Sequence, residues 1–258
     1  MSRVLVQIYE VQTPSEAETM ISLGVDHVGS VLLSETDWKE PLLRQTVAAV
    51  KSLGGKSSLI PLFNEEEAVL RAVDYYRPDI VHFCEMLQNT EEGKGFQESL
   101  CRLQMRIREH FSGIDIMRSI PIPPPGRGNQ EAMLAIAERF EPVSDFFLTD
   151  TALPAAGSDT DHAQPVKGFV GITGETCRWD YARALVEFSS IPVILAGGIS
   201  PENVERGISA VKPAGVDSCT RTNAVDGDGR SVRFKKDPQR VRKLVEAVRS
   251  AEAKLQAC

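Results

Sequence analysis

The chain has 258 residues, of which 42% are hydrophobic and 25% are charged, and its formal net charge is -7 at pH 7. Such a composition excludes a disordered chain, and the length suits one α/β barrel of about 250 residues. The acidic residues are spread along the chain and no block of Lys or Arg could follow a phosphate backbone, so we expect neither nucleic acid nor a membrane surface as a partner.

Cysteine usage and the amino end both indicate a cytoplasmic protein. The five cysteines are widely spaced and contain no C-x-x-C pair, which favours reduced thiols. Residues 2–6 lead directly into a strand-like run without a long apolar stretch, so the sequence predicts neither secretion nor membrane insertion.

Apolar runs typical of buried strands alternate with helical segments along the chain. The runs fall at residues 4–9, 28–33, 59–63, 80–84, 114–120, 146–150, 193–196 and 214–217. Helices are predicted between them, from a first helix that begins near Pro14 to an amphipathic last helix over residues 238–255.

Eight β-α units favour a closed (β/α)8 TIM barrel, and we expect a single domain over residues 1–258. An open doubly wound sheet would give the same alternation. That fold usually carries a glycine-rich turn after its first strand, and residues 9–12 contain no glycine.

Two connections are longer than ordinary loops: the proline-rich residues 121–128, and an extended loop at about 151–170. Both follow strands, so we expect them over the carboxyl face of the barrel, where barrel enzymes hold their active sites. Asp159, Asp161 and His162 lie on the second loop and could bind an ion weakly, but a solvated loop is favoured and no metal site is predicted.

Residues 194–204 have the pattern of a phosphate-binding turn. A strand ends in Gly197 and Gly198, before a helix predicted to open on Ser200-Pro201-Glu202. Glycine lets the backbone approach a ligand closely, and the N–H groups at a helix start favour an anion. The alternative is a tight turn that serves only packing.

Several segments in chain order resemble the phosphoribosylanthranilate isomerase family. The similar residues are 22–29, 145–151, 171–176 with Trp179, 195–204, 211–217 and 236–238, and the likeness is strongest in the carboxyl third. The resemblance implies an Amadori rearrangement in tryptophan biosynthesis, which turns an aminoaldose 5-phosphate into an aminoketose without metal or organic cofactor. In that reaction an acid protonates the furanose ring oxygen, while a base removes the proton at sugar carbon two.

The resemblance assigns the acid to Asp150. Its carboxyl would have to stay protonated near neutral pH, which requires a pKa raised by burial or by a neighbouring carboxylate. A strand-end aspartate that only caps a helix is the alternative.

The resemblance also implies a substrate-binding and phosphate-binding set: Gly174, Gly197, Gly198, Cys219, Thr220 and Arg221. Arg221 stands where the family has a glycine, and it could either hold a phosphate or fill its site. We favour an anion there, because the preceding pair of glycines is kept.

The first strand departs from the family pattern. Where the family has Lys-Ile-Cys-Gly, this chain has Gln7-Ile8-Tyr9-Glu10, so the cysteine base and its neighbouring lysine are both replaced. A tyrosine, with a pKa of about 10, is a poor base at neutral pH unless a cation lies beside it.

The fourth strand departs as well, because Val81-His82-Phe83-Cys84-Glu85 stands where the family has Gln-Leu-His-Gly. The alternation of a strand places His82 and Cys84 inside the barrel with Gln7 and Tyr9. Cys84, Glu85 and Glu10 stay open as replacements for the base. Gln7 and His82 are candidate substrate contacts, with barrel filling as the alternative for His82 and Cys84.

The loop after the second strand lacks the family's arginine on the anthranilate side, and we expect Trp38 or Lys39 to cover the pocket instead. Together these features predict a phosphoribosylanthranilate isomerase-like enzyme that acts on a small phosphorylated sugar derivative, with an altered base and room for an altered substrate. The alternative is a non-catalytic phosphate-binding or regulatory barrel. No cofactor is implied, and both a monomer and a homodimer stay open.

Overall fold

Eight parallel strands close into a barrel in the computed structural model, which describes residues 3–153 and 166–256. Each strand pairs with the next one along the chain, and the eighth pairs with the first. The strands are β1 (Leu5–Ile8), β2 (His27–Leu32), β3 (Lys56–Pro61), β4 (Ile80–Phe83), β5 (Asp115–Ile122), β6 (Phe146–Thr151), β7 (Val193–Leu195) and β8 (Gly215–Ser218). The predicted (β/α)8 TIM barrel is confirmed.

Helices follow the strands and cover the outside of the barrel. They are α1 (Pro14–Ser22), α2 (Pro41–Ser52), α3 (Glu66–Tyr76), α4 (Glu91–His110), α5 (Gln130–Phe140), α6 (Trp179–Phe188), α7 (Val204–Val211) and α8 (Pro238–Gln256). α1 begins at Pro14 as predicted, and the hydroxyl of the preceding Thr13 accepts a hydrogen bond from the N–H of Glu16. A cap of this kind stabilises a helix by about 1 kcal/mol.

The inside of the barrel is filled by side chains toward the amino ends of the strands and is open at their carboxyl ends. Apolar side chains from β4, β5, β6 and β7 meet on the axis, namely Ile80, Met117, Leu148 and Ile194, all of which are buried. This apolar plug leaves the space at the carboxyl ends of the strands for a site.

One element lies outside the eight β-α units. An antiparallel hairpin, β9 (Asn223–Val225) and β10 (Ser231–Lys236), stands between β8 and α8. The carboxylate of Asp226 accepts hydrogen bonds from the N–H groups of Asp228 and Arg230, and so fixes the turn. The hairpin adds residues from late in the chain to the carboxyl face.

Most of the extended loop expected at about 151–170 lies outside the described residues, as do Asp159, Asp161 and His162, so these features stay predictions. Within residues 3–153 and 166–256, no group of three or more His, Cys, Asp or Glu side chains could hold a metal ion. No helix in that part of the chain is long and apolar enough to cross a membrane.

A buried ion pair lies between the barrel wall and α4. Arg118 on β5 and Glu85, just after β4, are almost completely buried and hydrogen-bonded to each other. The Arg118 Nε also donates to Gln104 of α4 at 2.8 Å, and the guanidinium lies over the rings of Phe83 and Phe140. Glu85 therefore belongs to a structural cluster outside the barrel interior, which argues against it as the base.

We predict that Glu85→Ala lowers the free energy of unfolding by about 3–5 kcal/mol, because it leaves the Arg118 guanidinium buried without its partner. Replacing both residues, by Glu85→Leu with Arg118→Met, should cost less than the single change, since it removes both charges. Urea denaturation of the three proteins checks this. A loss below about 1 kcal/mol for Glu85→Ala, as is usual for exposed pairs, would contradict the buried cluster.

Candidate active site

The carboxyl ends of the strands surround a cavity of about 660 Å³, including its open mouth. Every residue of the predicted site and every candidate base borders it, except Gln7 and Glu85. The walls combine apolar side chains with a few polar groups, which is typical of a small-molecule site at the carboxyl face of a barrel. Trp38 and Lys39, expected over this pocket, instead pack against Tyr75 of α3.

One end of the cavity is formed by the glycine turn after β7. Gly197 and Gly198 have φ values of 85° and 60°, conformations that glycine adopts without strain. A Cβ on Gly198 would lie 2.7 Å from the carbonyl carbon of Glu175, so the turn packs closely on the loop after β6. The side chain of Asn203 donates to the carbonyl of Gly198 and accepts from the N–H of Ser200, both at 2.9 Å.

The helix predicted to open on Ser200 begins four residues later, at Val204. Its expected start was wrong because the side chain of Asn203 holds residues 200–203 in a turn. The anion site expected here therefore rests on the glycine turn and on the residues after β8, and less on the helix start.

Arg221 completes this end of the cavity. It is exposed at the rim, and its Nε donates to the carbonyl oxygen of Gly174 at 2.9 Å. Among the described residues that border the cavity, Arg221 is the one Lys or Arg side chain. Its guanidinium gives this end a positive charge that suits a phosphate group.

Two of the carboxyl groups that border the cavity are Asp150 at the end of β6 and Asp217 on β8. Burial raises the pKa of Asp150 to about 8, and the charge of Asp217 adds to that shift. Burial raises the pKa of Asp217 to about 7, while a hydrogen bond from Gln7 and the charge of Lys236 oppose the shift. At neutral pH, Asp150 is therefore the member of the pair that keeps its proton, and Asp217 loses its proton first.

Gln7 lies below the floor of the cavity and orients Asp217. Its Nε2 donates to Asp217 Oδ1 at 3.2 Å, and its Oε1 lies 3.2 Å from His27 Nδ1. Burial lowers the pKa of His27 to about 4, so this imidazole is neutral at neutral pH. The structure thus places Gln7, a candidate substrate contact, against a carboxylate that borders the cavity and not at the cavity itself.

Tyr9 belongs to a hydrogen-bonded chain across the barrel. Its hydroxyl bonds Ser58 and lies 2.7 Å from His82 Nδ1, and His82 Nε2 lies 2.8 Å from Ser119 Oγ. Burial raises the pKa of Tyr9 well above its usual value and lowers that of His82 to about 3. Both side chains are neutral over the physiological range, which makes the Tyr9 phenol unsuitable as a base.

The other two candidates for the base are also constrained. Burial, with a contribution from the charge of Glu85, raises the pKa of the Cys84 thiol well above its usual value. Glu10 has a φ of 63°, a strained conformation for a residue other than glycine. Its buried carboxylate accepts a hydrogen bond of 2.7 Å from Arg233 Nε on β10.

Some features of the site carried no clear signal in the sequence. Asp217 lay in a segment with family resemblance but had no assigned role, and Ser58 and Ser119 resembled ordinary strand residues. The hairpin that carries Arg233 had a detectable signal, because Asp226-Gly227-Asp228-Gly229 has the composition of a tight turn between strands.

Gly29 on β2 makes room for the Tyr9 ring, since a Cβ at position 29 would lie 2.0 Å from its Cδ1. We predict that Gly29→Ala lowers the free energy of unfolding by about 1–3 kcal/mol through overpacking. In a Tyr9→Ala background the same change should cost almost nothing, because the ring is gone. A double-mutant cycle from urea denaturation measures the difference.

The matched control is Gly95→Ala in α4, where a Cβ would meet nothing within 4 Å. That change should stabilise the protein by about 0.5–1 kcal/mol, as alanine for glycine usually does in a helix. An equal Gly29→Ala penalty with and without the Tyr9 ring would show that the ring does not occupy this space.

The chain is similar in sequence to known proteins. Residues 128–247 match the family model of N-(5'phosphoribosyl)anthranilate (PRA) isomerase. An N-(5'-phosphoribosyl)anthranilate isomerase from Methanosarcina acetivorans is 26% identical over 257 residues, which is 96% of this chain and 94% of that protein. One from Haloferax volcanii is 37% identical over 118 residues, 46% of this chain and 44% of that protein.

A crystal structure of phosphoribosyl anthranilate isomerase from Thermotoga maritima has a TM-score of 0.66 and 19% identity, and the match covers 96% of this chain and 99% of that one. This likeness shows the fold. The matched family model, over residues 128–247, includes Asp150, the glycine turn and Asp217 but not Tyr9, Glu10, His82 or Cys84. The part of the chain that matches the family model therefore carries the two aspartates and the glycine turn.

Proposed function

Because the chain belongs to the phosphoribosylanthranilate isomerase family, we propose that it catalyses an Amadori-type aldose-ketose isomerisation of an N-substituted 5-phosphoribosylamine. Phosphoribosylanthranilate is the first substrate to test. The observation that carries the proposal is the buried carboxyl of Asp150, whose pKa burial raises to about 8, in the same cavity as an end suited to phosphate.

Binding of the substrate would use both ends of the cavity. The phosphate would lie against the backbone of Gly197 and Gly198 and near the Arg221 guanidinium, which supplies charge-assisted hydrogen bonds. The N-substituent would lie toward the apolar wall that Val31 and Ile60 form at the other side. This orientation places the sugar ring between the two ends, beside the carboxyl groups.

Asp150 would start the reaction as a general acid. It would donate its proton to the furanose ring oxygen while the bond from that oxygen to C1 breaks and a C1=N iminium forms. A pKa of about 8 keeps Asp150 protonated at neutral pH and still lets it release the proton readily. The iminium then acidifies the C2 proton, which a base must remove to form an enolamine.

A turnover assay with freshly generated phosphoribosylanthranilate, followed by the loss of its fluorescence, tests the proposal. We predict turnover by the wild type and a loss of about 10²–10⁴-fold in kcat for Asp150→Asn, the usual contribution of a general acid. The wild-type kcat/KM should also fall as the pH rises through about 8, because the acid then loses its proton.

Asp180→Asn is the control, since Asp180 is exposed and pairs with Arg178 at the surface; it should keep wild-type turnover. Full activity in Asp150→Asn would overturn the role of this acid. Binding of the phosphorylated substrate by the wild type without any turnover would support the non-catalytic barrel instead.

A further inference from the structure

The proposed isomerisation needs a proton acceptor, and several groups that border the cavity could be considered. The described residues with suitable side chains are Tyr9, Glu10, His82, Cys84, Asp150, Asp217 and Cys219. A base must be able to lose its proton near neutral pH and must not be occupied by another strong partner. These two conditions remove most of the set.

The phenol, the imidazole and the two thiols are excluded, because each is either protonated at neutral pH or occupied by hydrogen-bond partners. Tyr9 and His82 are bonded to each other and to two serines. Burial raises the pKa of the thiols of Cys84 and Cys219, the latter to a value outside the usual thiol range, so neither supplies a thiolate at neutral pH.

Two of the three carboxyl groups that border the cavity already have another role or partner. Asp150 keeps its proton and serves as the acid. Glu10 is ion-paired to Arg233 of the hairpin, so its carboxylate is already occupied by a strong partner. Asp217 is the remaining group.

The surroundings of Asp217 suit a general base. It is 7% exposed, borders the cavity, and is fixed through Oδ1 by the Gln7 amide. An amide holds the carboxylate in place without neutralising it, unlike the guanidinium that holds Glu10.

The charged and titratable groups that face Asp217 come from several elements. They are Asp150 from β6, Lys236 from β10, and Tyr9 and Cys219 beside the ends of β1 and β8. The ammonium of Lys236 bonds the carbonyl oxygen of Cys219 at 3.0 Å and the side chain of Asn223, so this cation is fixed nearby without binding Asp217 itself. The charge of Lys236 favours the ionised form of Asp217.

We propose that Asp217 is the general base, which removes the proton at C2 of the sugar. This inference rests on the proposed function. Asp150 gives one proton to the ring oxygen, and the Asp217 carboxylate takes one from C2, while the C–H electron pair forms the C1=C2 bond and the iminium pair returns to nitrogen.

The resulting enolamine becomes the ketone when C1 gains a proton and the C2 hydroxyl loses one. Asp150 and Asp217 then regain their starting protonation states by exchange with water. The sum is an isomerisation, with no oxidant, reductant or further reactant.

The test compares Asp217→Asn with Cys84→Ser and Glu10→Gln in the phosphoribosylanthranilate assay. Asparagine keeps the shape of Asp217 and can keep the contact to Gln7, so we expect an unchanged urea midpoint, a KM within about threefold, and kcat lower by about 10²–10⁴-fold. The acidic limb of the kcat/KM profile should lie near pH 7 in the wild type and vanish in Asp217→Asn. Cys84→Ser and Glu10→Gln should both keep that limb.

A structural role for Asp217 would alter KM and the urea midpoint but would leave the position of the acidic limb unchanged. If the wild type turns over and Asp217→Asn keeps more than a tenth of its kcat, the assignment of the base is wrong while the proposed function stands. Loss of the acidic limb in Cys84→Ser or Glu10→Gln would also overturn it. A wild type without turnover would overturn the proposed function itself, and this assignment with it.

Discussion

The pairing of β1 with β8 closes the barrel, and the arrangement of the candidate site depends on this seam. It places Gln7 in register with Asp217, although 210 residues separate them in the chain. Gln7 can orient the carboxylate only because the two strands are hydrogen-bonded neighbours. The same closure brings the strand ends around one cavity, where burial raises the pKa values of Asp150 and Asp217.

Several polar side chains inside the barrel are hydrogen-bonded to one another, because an unpaired buried polar group is costly. Tyr9 and His82 are hydrogen-bonded to each other and to two serines. Gln7 is hydrogen-bonded to His27 and to Asp217. Burial raises the pKa values of the two aspartates into the range near neutral pH. Chemistry at the cavity would therefore depend on the difference between Asp150 and Asp217.

Much of the fold followed from the sequence, since the alternation of strand and helix patterns is local. The residue proposed as the acid could also be singled out from a short segment, because residues 145–151, which include Asp150, resemble the family. The contacts that decide the base could not be predicted in this way. Arg233 reaches Glu10 across 223 residues, and such pairs depend on the closed barrel and on the hairpin that precedes α8.

The residues of β4 and the residue just after it also show what the sequence pattern can and cannot predict. His82 and Cys84 were expected inside the barrel from alternation alone, and both border the cavity. Glu85 was open as a base, yet it follows the strand end and turns outward to Arg118. Alternation predicts the face of a residue within a strand, but it says little about the residue just beyond the end.

Direct titration of the two aspartates tests the account most sharply, using carbon-13 labelled aspartate and NMR detection of the side-chain carboxyl groups, with Asp150→Asn and Asp217→Asn for assignment. We expect midpoints of about 8 for Asp150 and about 7 for Asp217. We also expect a lower pKa of Asp150 in Asp217→Asn, because a neighbouring negative charge is removed. Midpoints near about 4 for both groups, the value for exposed aspartates, would contradict a buried, interacting acid-base pair.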